Sequence, residues 1–124
     1  MNPQAEALKA RTKKYALDVL EFVDTLPKLG PAVRVGLQLS AAATSVAANY
    51  RAACRARSKA EFAAKIGVVL EEGDESLLWM EITKERGWGS NRLNELLLRE
   101  GNELVAIFAQ SSITARQSLR TVTR

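Results

Sequence analysis

The stretch from Ser40 to Glu81 constrains the fold of this chain more than any other part. It begins SAAATSVAANYRAACRARS, an alanine-rich run ending in cations. It finishes LEEGDESLLWME, with carboxylates at Glu71, Glu72, Asp74 and Glu75. Alanine is the strongest helix former and adds little bulk, so a second helix can approach such a surface closely. The acidic half carries apolar residues at helical spacing and an aromatic anchor, Trp79. The two halves read as neighbouring helices packed through a thin seam.

The remaining segments show the same period. Leu8, Tyr15, Val19, Phe22 and Leu26 make one apolar stripe, which predicts a helix over about residues 4–25, ended by Pro27. Pro31 suits the first turn of a second helix, about 31–56, because its missing N–H costs nothing there. The expected inward seam of that helix is Val33, Leu37, Ser40, Thr44, Ala47 or Ala48, and Arg51. Ser58-Lys59-Ala60-Glu61 is a capping box, with Ser58 accepting from the Glu61 amide and Glu61 reaching back to the Ser58 amide. It opens a third helix, about 59–86, through Phe62, Ile66, Val69, Leu70, Gly73, Leu77 and Met80. Gly73 costs about 1 kcal/mol against alanine in a helix interior. A close neighbouring backbone or the Trp79 ring is the expected reason for it. Gly87 marks the helix end, and Ser90 or Asn91 caps a fourth helix over about 91–116. Its inward residues are expected to be Leu93, Leu97, Leu104, Phe108 and Ser111, flanked by Leu96 and Ile107. Residues 117–124 read as a flexible tail. No segment alternates apolar and polar residues. Corners of three to five residues between helices of about 20–27 residues, or ~30–40 Å, demand antiparallel neighbours. The expected fold is all-α: an up-down-up-down antiparallel four-helix bundle, one domain over residues 1–124.

Composition narrows the chemistry. A chain of 124 residues buries about 67% of its unfolded surface on folding, enough for a core without disulfides. Cys54 is the single cysteine, so no internal bridge forms, which points to a reducing cytoplasm. The first residues lack an apolar signal core, and no apolar run approaches the ~18 residues of a membrane span, so a soluble protein without a membrane partner is expected. Histidine is absent. That removes Ser-His-Asp and Cys-His catalysis, histidine metal ligands and the Glu-x-x-His sites of di-iron bundles. No catalytic residue, metal or cofactor is therefore expected. The net charge of +4 conceals a pattern: residues 1–65 hold eleven Lys/Arg against five Asp/Glu, whereas residues 66–110 hold four against nine. Arg116, Arg120 and Arg124 follow with no acid.

Several blocks carry a family resemblance. Ser45-Val46-Ala47-Ala48-Asn49-Tyr50 and Arg57-Ser58-Lys59-Ala60-Glu61-Phe62 are followed by Leu70–Glu81, then by Leu97–Leu104 and Thr114-Ala115-Arg116. In order and spacing these resemble the bacterial four-helix-bundle proteins that include those encoded in intervening sequences of large-subunit ribosomal RNA. The chain departs from the pattern at Ala52, where many relatives carry an acid, and at Gly73 and Gly101, where alanine is usual. The resemblance implies a cytoplasmic bundle that assembles with itself into a ring, typically a homopentamer, with no established catalytic activity and a supposed role with nucleic acid.

Residue chemistry adds one candidate binding patch. Arg51, Arg55, Arg57 and Lys59 cluster where the second helix meets the third, a pattern suited to RNA or DNA phosphates with little base selectivity. Tyr50 is the only aromatic read as near it, which argues against a stacking platform. Glu71, Glu72, Asp74 and Glu75, with Glu100 or Glu103, suggest oxygen ligands for a hard cation. Ion pairing with Arg51, Arg55 or Lys65 is the favoured reading of these acids. Asn49, Glu72 and Glu75 are read as structural polar residues, Asn49 fixing helix register. Cys54 is read as an ordinary packed thiol. The functional reading is a non-enzymatic, self-assembling bundle that binds RNA or DNA through basic surface. The alternative is a purely structural or protein-adaptor bundle that binds none.

Overall fold

The structure, a computed structural model, describes residues 2–122, with side chains through Arg120. Four helices and no strand occur among the described residues: α1 Pro3–Val23, α2 Pro31–Ala53, α3 Lys59–Arg86 and α4 Asn91–Val122. Their boundaries follow local chemistry. The Asn2 side chain accepts from the Gln4 amide at 2.8 Å and caps α1. Pro31 stands in the first turn of α2, as its fixed φ favours. Ser58 Oγ accepts from the Glu61 amide at 3.0 Å, but the Glu61 carboxylate takes the Arg57 amide, also at 3.0 Å, rather than that of Ser58. The capping box is thus shifted by one residue on its return arm. Gly87, at φ 69°, ends α3 in the left-handed conformation.

α4 runs to Val122 instead of stopping near residue 116. No glycine or proline follows Gly101, and Ser118 and Leu119 remain half-buried, so nothing interrupts the hydrogen-bond ladder. Of the tail expected at 117–124, Thr123 and Arg124 lie outside the described residues.

The helices contact one another in the pairs α1–α2, α2–α3, α3–α4 and α1–α4, which is consistent with a four-helix bundle. Tyr15, Val19 and Phe22 meet Leu39, Val46, Ile66, Val69, Met80, Leu97, Leu104 and Phe108 in one core. The buried stripe of α2 is Ala32, Val35, Leu39, Ala42, Ala43, Val46 and Tyr50. The expected seam is therefore one position out of phase, and Leu37 is 67% exposed. Both stripes keep helical spacing, but only the observed one buries Val35, Leu39, Val46 and Tyr50, and that larger apolar area decides the rotation. On α4, Leu96 likewise faces outward, and Ser112 rather than Ser111 is buried.

Two glycines let helices meet closely. A Cβ on Gly73 would lie 3.0 Å from Val105 Cγ2, so the close neighbour is an α4 side chain, not Trp79. A Cβ on Gly101 would lie 2.8 Å from Leu77 Cδ2 and 3.0 Å from the Tyr15 hydroxyl. That hydroxyl crosses the core from α1 to Ser76 Oγ of α3, at 2.9 Å. Ser76 gives its own proton to the Gly73 carbonyl at 2.8 Å, so Tyr15 is the donor in the pair. Burial raises the Tyr15 phenol above its ordinary pKa, which keeps that donor proton in place.

A second buried polar link joins α3 to α4. Asn94 Nδ2 donates to the Met80 carbonyl at 3.1 Å and to Thr83 Oγ1 at 3.0 Å. The corners are also tied. Thr25 Oγ1 accepts from the Ser90 amide at 2.9 Å and donates to the Phe22 carbonyl at 2.6 Å. Gly89, at φ 77°, packs there so tightly that a Cβ would come 2.8 Å from Thr25 Oγ1.

Asn94→Asp is expected to cost about 3 kcal/mol at pH 7, since it removes both donors and buries a charge. Burial raises the folded-state pKa of the new carboxyl above its unfolded value. The folded state then binds the extra proton, so stability should partly return as pH falls through that raised pKa. Denaturant melts at pH 7 and pH 5 check both signs.

Candidate nucleic-acid interface

The four cations of the candidate patch occupy one corner of the fold. Arg51 lies in the last turn of α2, Arg55 and Arg57 in the connection, and Lys59 at the first residue of α3. All four are exposed. Among the described residues none forms an ion pair, whereas cations of α1 do: Lys9 with Glu6 at 2.7 Å and Lys14 with Asp18 at 2.8 Å. The expected pairing of this corner with the acids of α3 is not present. Glu71 lies twelve residues beyond Lys59, a rise of about 18 Å along the helix and too far for a side chain to span.

Interhelical pairing falls instead to Arg11. Its Nε and Nη2 each donate to Glu100 at 2.7 Å, a two-pronged bond between α1 and α4, and Nη2 also reaches Glu103 at 3.0 Å. The Glu100 bond raises the Arg11 pKa against the opposing effect of burial, so the guanidinium stays charged.

The polar residues singled out from sequence divide. Asn49 is half-buried and donates to the Ser45 carbonyl of its own helix at 2.9 Å, which links it to no other helix. A polar link between helices is made instead by Asn94, which the sequence reading did not single out. Glu75 accepts from Trp79 Nε1 at 3.4 Å. Glu72 is half-buried; burial first, then Glu75 and Glu71, push its carboxyl above the ordinary pKa. Among the described residues, no group of three or more His, Cys, Asp or Glu gathers closely enough to hold a metal ion.

Beside the basic corner lies a feature that sequence reading missed. The connection between α2 and α3 and residues 110–118 of α4 enclose an open cleft of about 600 Å³. Arg57 and Lys59 line it, together with Phe62 and the hydroxyls of Ser111 and Thr114. Phe62 packs against the core on one side and is only half-buried. Its helical spacing with Ile66 and Val69 marks it as a core residue, and only the approach of α4 shows its second surface. Tyr50 is not available for stacking, being buried against Phe108 with ring centroids 5.3 Å apart. Arg51 borders a different groove of about 410 Å³ between α1 and α2, with Lys9, Lys13, Leu17 and Leu20. Arg55 lines neither.

No protein-family model matches the chain, and no curated protein matches it. Among solved structures, the fold is similar to the crystal structure of a protein with unknown function from the S23 ribosomal protein family of Bacteroides thetaiotaomicron. The TM-score is 0.74 at 21% identity, covering 84% of this chain and 96% of that one. At that identity the likeness establishes the fold. No helix among the described residues is long and apolar enough to cross a membrane.

Glu72 has no cation partner within the described chain, so its ionised form costs stability. Its raised folded-state pKa means that this cost is present at neutral pH and fades as pH falls through that value. Glu72→Gln is expected to raise Tm at pH 7 by about 1–3 °C and to leave it nearly unchanged near pH 4. Differential scanning calorimetry at the two pH values checks this. A lower Tm at pH 7 would mean that a cation from outside the chain reaches Glu72.

Proposed function

We propose that this chain is a non-enzymatic bundle that assembles with itself and presents basic surface to the phosphates of RNA or DNA. The observation that carries the reading is that Arg51, Arg55, Arg57 and Lys59, four exposed cations at one corner, form no ion pair among the described residues. A cation already engaged by a carboxylate must break that pair before it meets phosphate. These four have no such cost, and neutralising phosphates with them releases counterions. Short corners make successive helices run antiparallel, up-down-up-down, as the helix lengths require. The S23 ribosomal protein family of the similar structure supports the kinship with proteins of ribosomal RNA intervening sequences that the residue blocks imply.

Self-assembly has its own support. Leu17, Leu20, Val33 and Leu37 of α1 and α2 are exposed, Leu17 by 56%. Apolar side chains exposed on these adjacent helices are surface that a second copy would cover. A homopentameric ring is the assembly the family resemblance implies, in the cytoplasm that a lone cysteine suits.

Light scattering after size exclusion is expected to give a mass several times the 13.6 kDa of one chain; a monomer at micromolar concentration rejects assembly. Binding of a labelled oligonucleotide is expected to weaken at least about tenfold between 50 and 200 mM salt, and Arg51→Gln with Arg55→Gln to flatten that dependence. Absence of binding at 50 mM salt rejects the nucleic-acid role and leaves the adaptor reading.

A further inference from the structure

We infer that the cleft between the α2–α3 corner and α4 receives an unstacked base of single-stranded nucleic acid, whose neighbouring phosphates lie on Arg57 and Lys59. This deepens the phosphate-binding reading above and rests on it. The reasons lie in what the cleft contains. Its volume of about 600 Å³ falls within the range of pockets that hold small organic groups, roughly 300–1,000 Å³. Phosphate alone would use only the cations and would leave the apolar surfaces of Phe62, Ala56 and Ala115 hydrated. A duplex presents phosphates and base edges but hides the faces of its bases. An unstacked base brings both a flat apolar face and a polar edge.

The rest of the lining distinguishes a base from other apolar anions. Gln110, Ser111, Thr114 and Ser118 bring an amide and three hydroxyls to the same cleft. An acyl chain would strip water from these groups and offer no hydrogen bond in return. A base edge carries donors and acceptors, and hydroxyls can act in either sense. Phe62 supplies the aromatic surface, because Tyr50 is enclosed in the core. Arg57 and Lys59 line the cleft without an ion-pair partner among the described residues, which places positive charge beside the apolar surface.

The test is fluorescence anisotropy with the full chain, using a labelled twelve-nucleotide oligo-dT and a duplex of equal length at 50 mM salt. The single strand is expected to bind more tightly. Phe62→Leu, which keeps an apolar side chain but removes the ring, should weaken single-strand binding about tenfold and leave duplex binding unchanged. Thr114→Trp, at an exposed position on the cleft, should do the same by filling it. Circular dichroism melts establish that each variant is folded. On the unaltered chain, an oligonucleotide carrying 5-iodouracil should photo-crosslink to the tryptic peptide Ala60–Lys65. Equal binding of strand and duplex, with crosslinks elsewhere, overturns the base site while leaving phosphate binding standing. Competition by thymidine monophosphate at concentrations equal to the oligonucleotide overturns the assignment to a strand. No binding of either nucleic acid overturns both readings.

Discussion

The contact between Tyr15 and Ser76 sets the spacing of the bundle. A phenol must cross from α1 to α3 and find a hydroxyl at 2.9 Å, and it does so against the bare backbone of Gly101 on α4. Three helices are therefore fixed relative to one another at a single point in the core. Gly101 and Gly73 stand where the resembling proteins usually carry alanine, and both positions now have a reason. One makes room for the Tyr15 ring and Leu77, the other for Val105. Each gives up about 1 kcal/mol of helix propensity and permits a closer approach of α3 and α4. The Arg11 fork onto Glu100 and Glu103 then holds α1 against α4 on the outside of the same region.

Helix number and most helix limits were legible because proline, glycine and capping residues act locally. The inward stripes of α1 and α3 were legible too, since bulky residues mark them without ambiguity. α2 was not. Its alanines satisfy helical spacing on several faces, so the pattern alone leaves the rotation open, and packing against α1 and α3 selects Val35, Leu39 and Val46 over Val33 and Leu37. Asn94 escaped notice because a polar residue near a helix start ordinarily faces water. Its burial depends on where Met80 and Thr83 lie across the interface, which no local signal encodes. The basic patch was visible as a cluster of residue types. Its lack of ion pairs among the described residues, and the cleft beside it, depend on distances between helices and were not.

The ion pairs and the basic corner occupy different places in this fold. Among the described residues the ion pairs lie on α1 and between α1 and α4, where carboxylates stand within reach of Lys9, Arg11 and Lys14. Around the α2–α3 corner the nearest dense acids are several turns away. Glu61, the acid closest in sequence, is turned onto the Arg57 backbone amide. That carboxylate serves the helix start and does not neutralise a guanidinium. A helix-capping requirement thereby helps to leave a cationic corner exposed.

The other two corners have another character. Thr25, between α1 and α2, holds the Ser90 amide between α3 and α4, and Gly89 fills the space beside it. Two connections 65 residues apart therefore behave as one joint. Loosening either frees the other, so amides that would exchange quickly in a simple surface turn should open only in a larger, cooperative fluctuation. Those two turns are thereby locked into the folding unit.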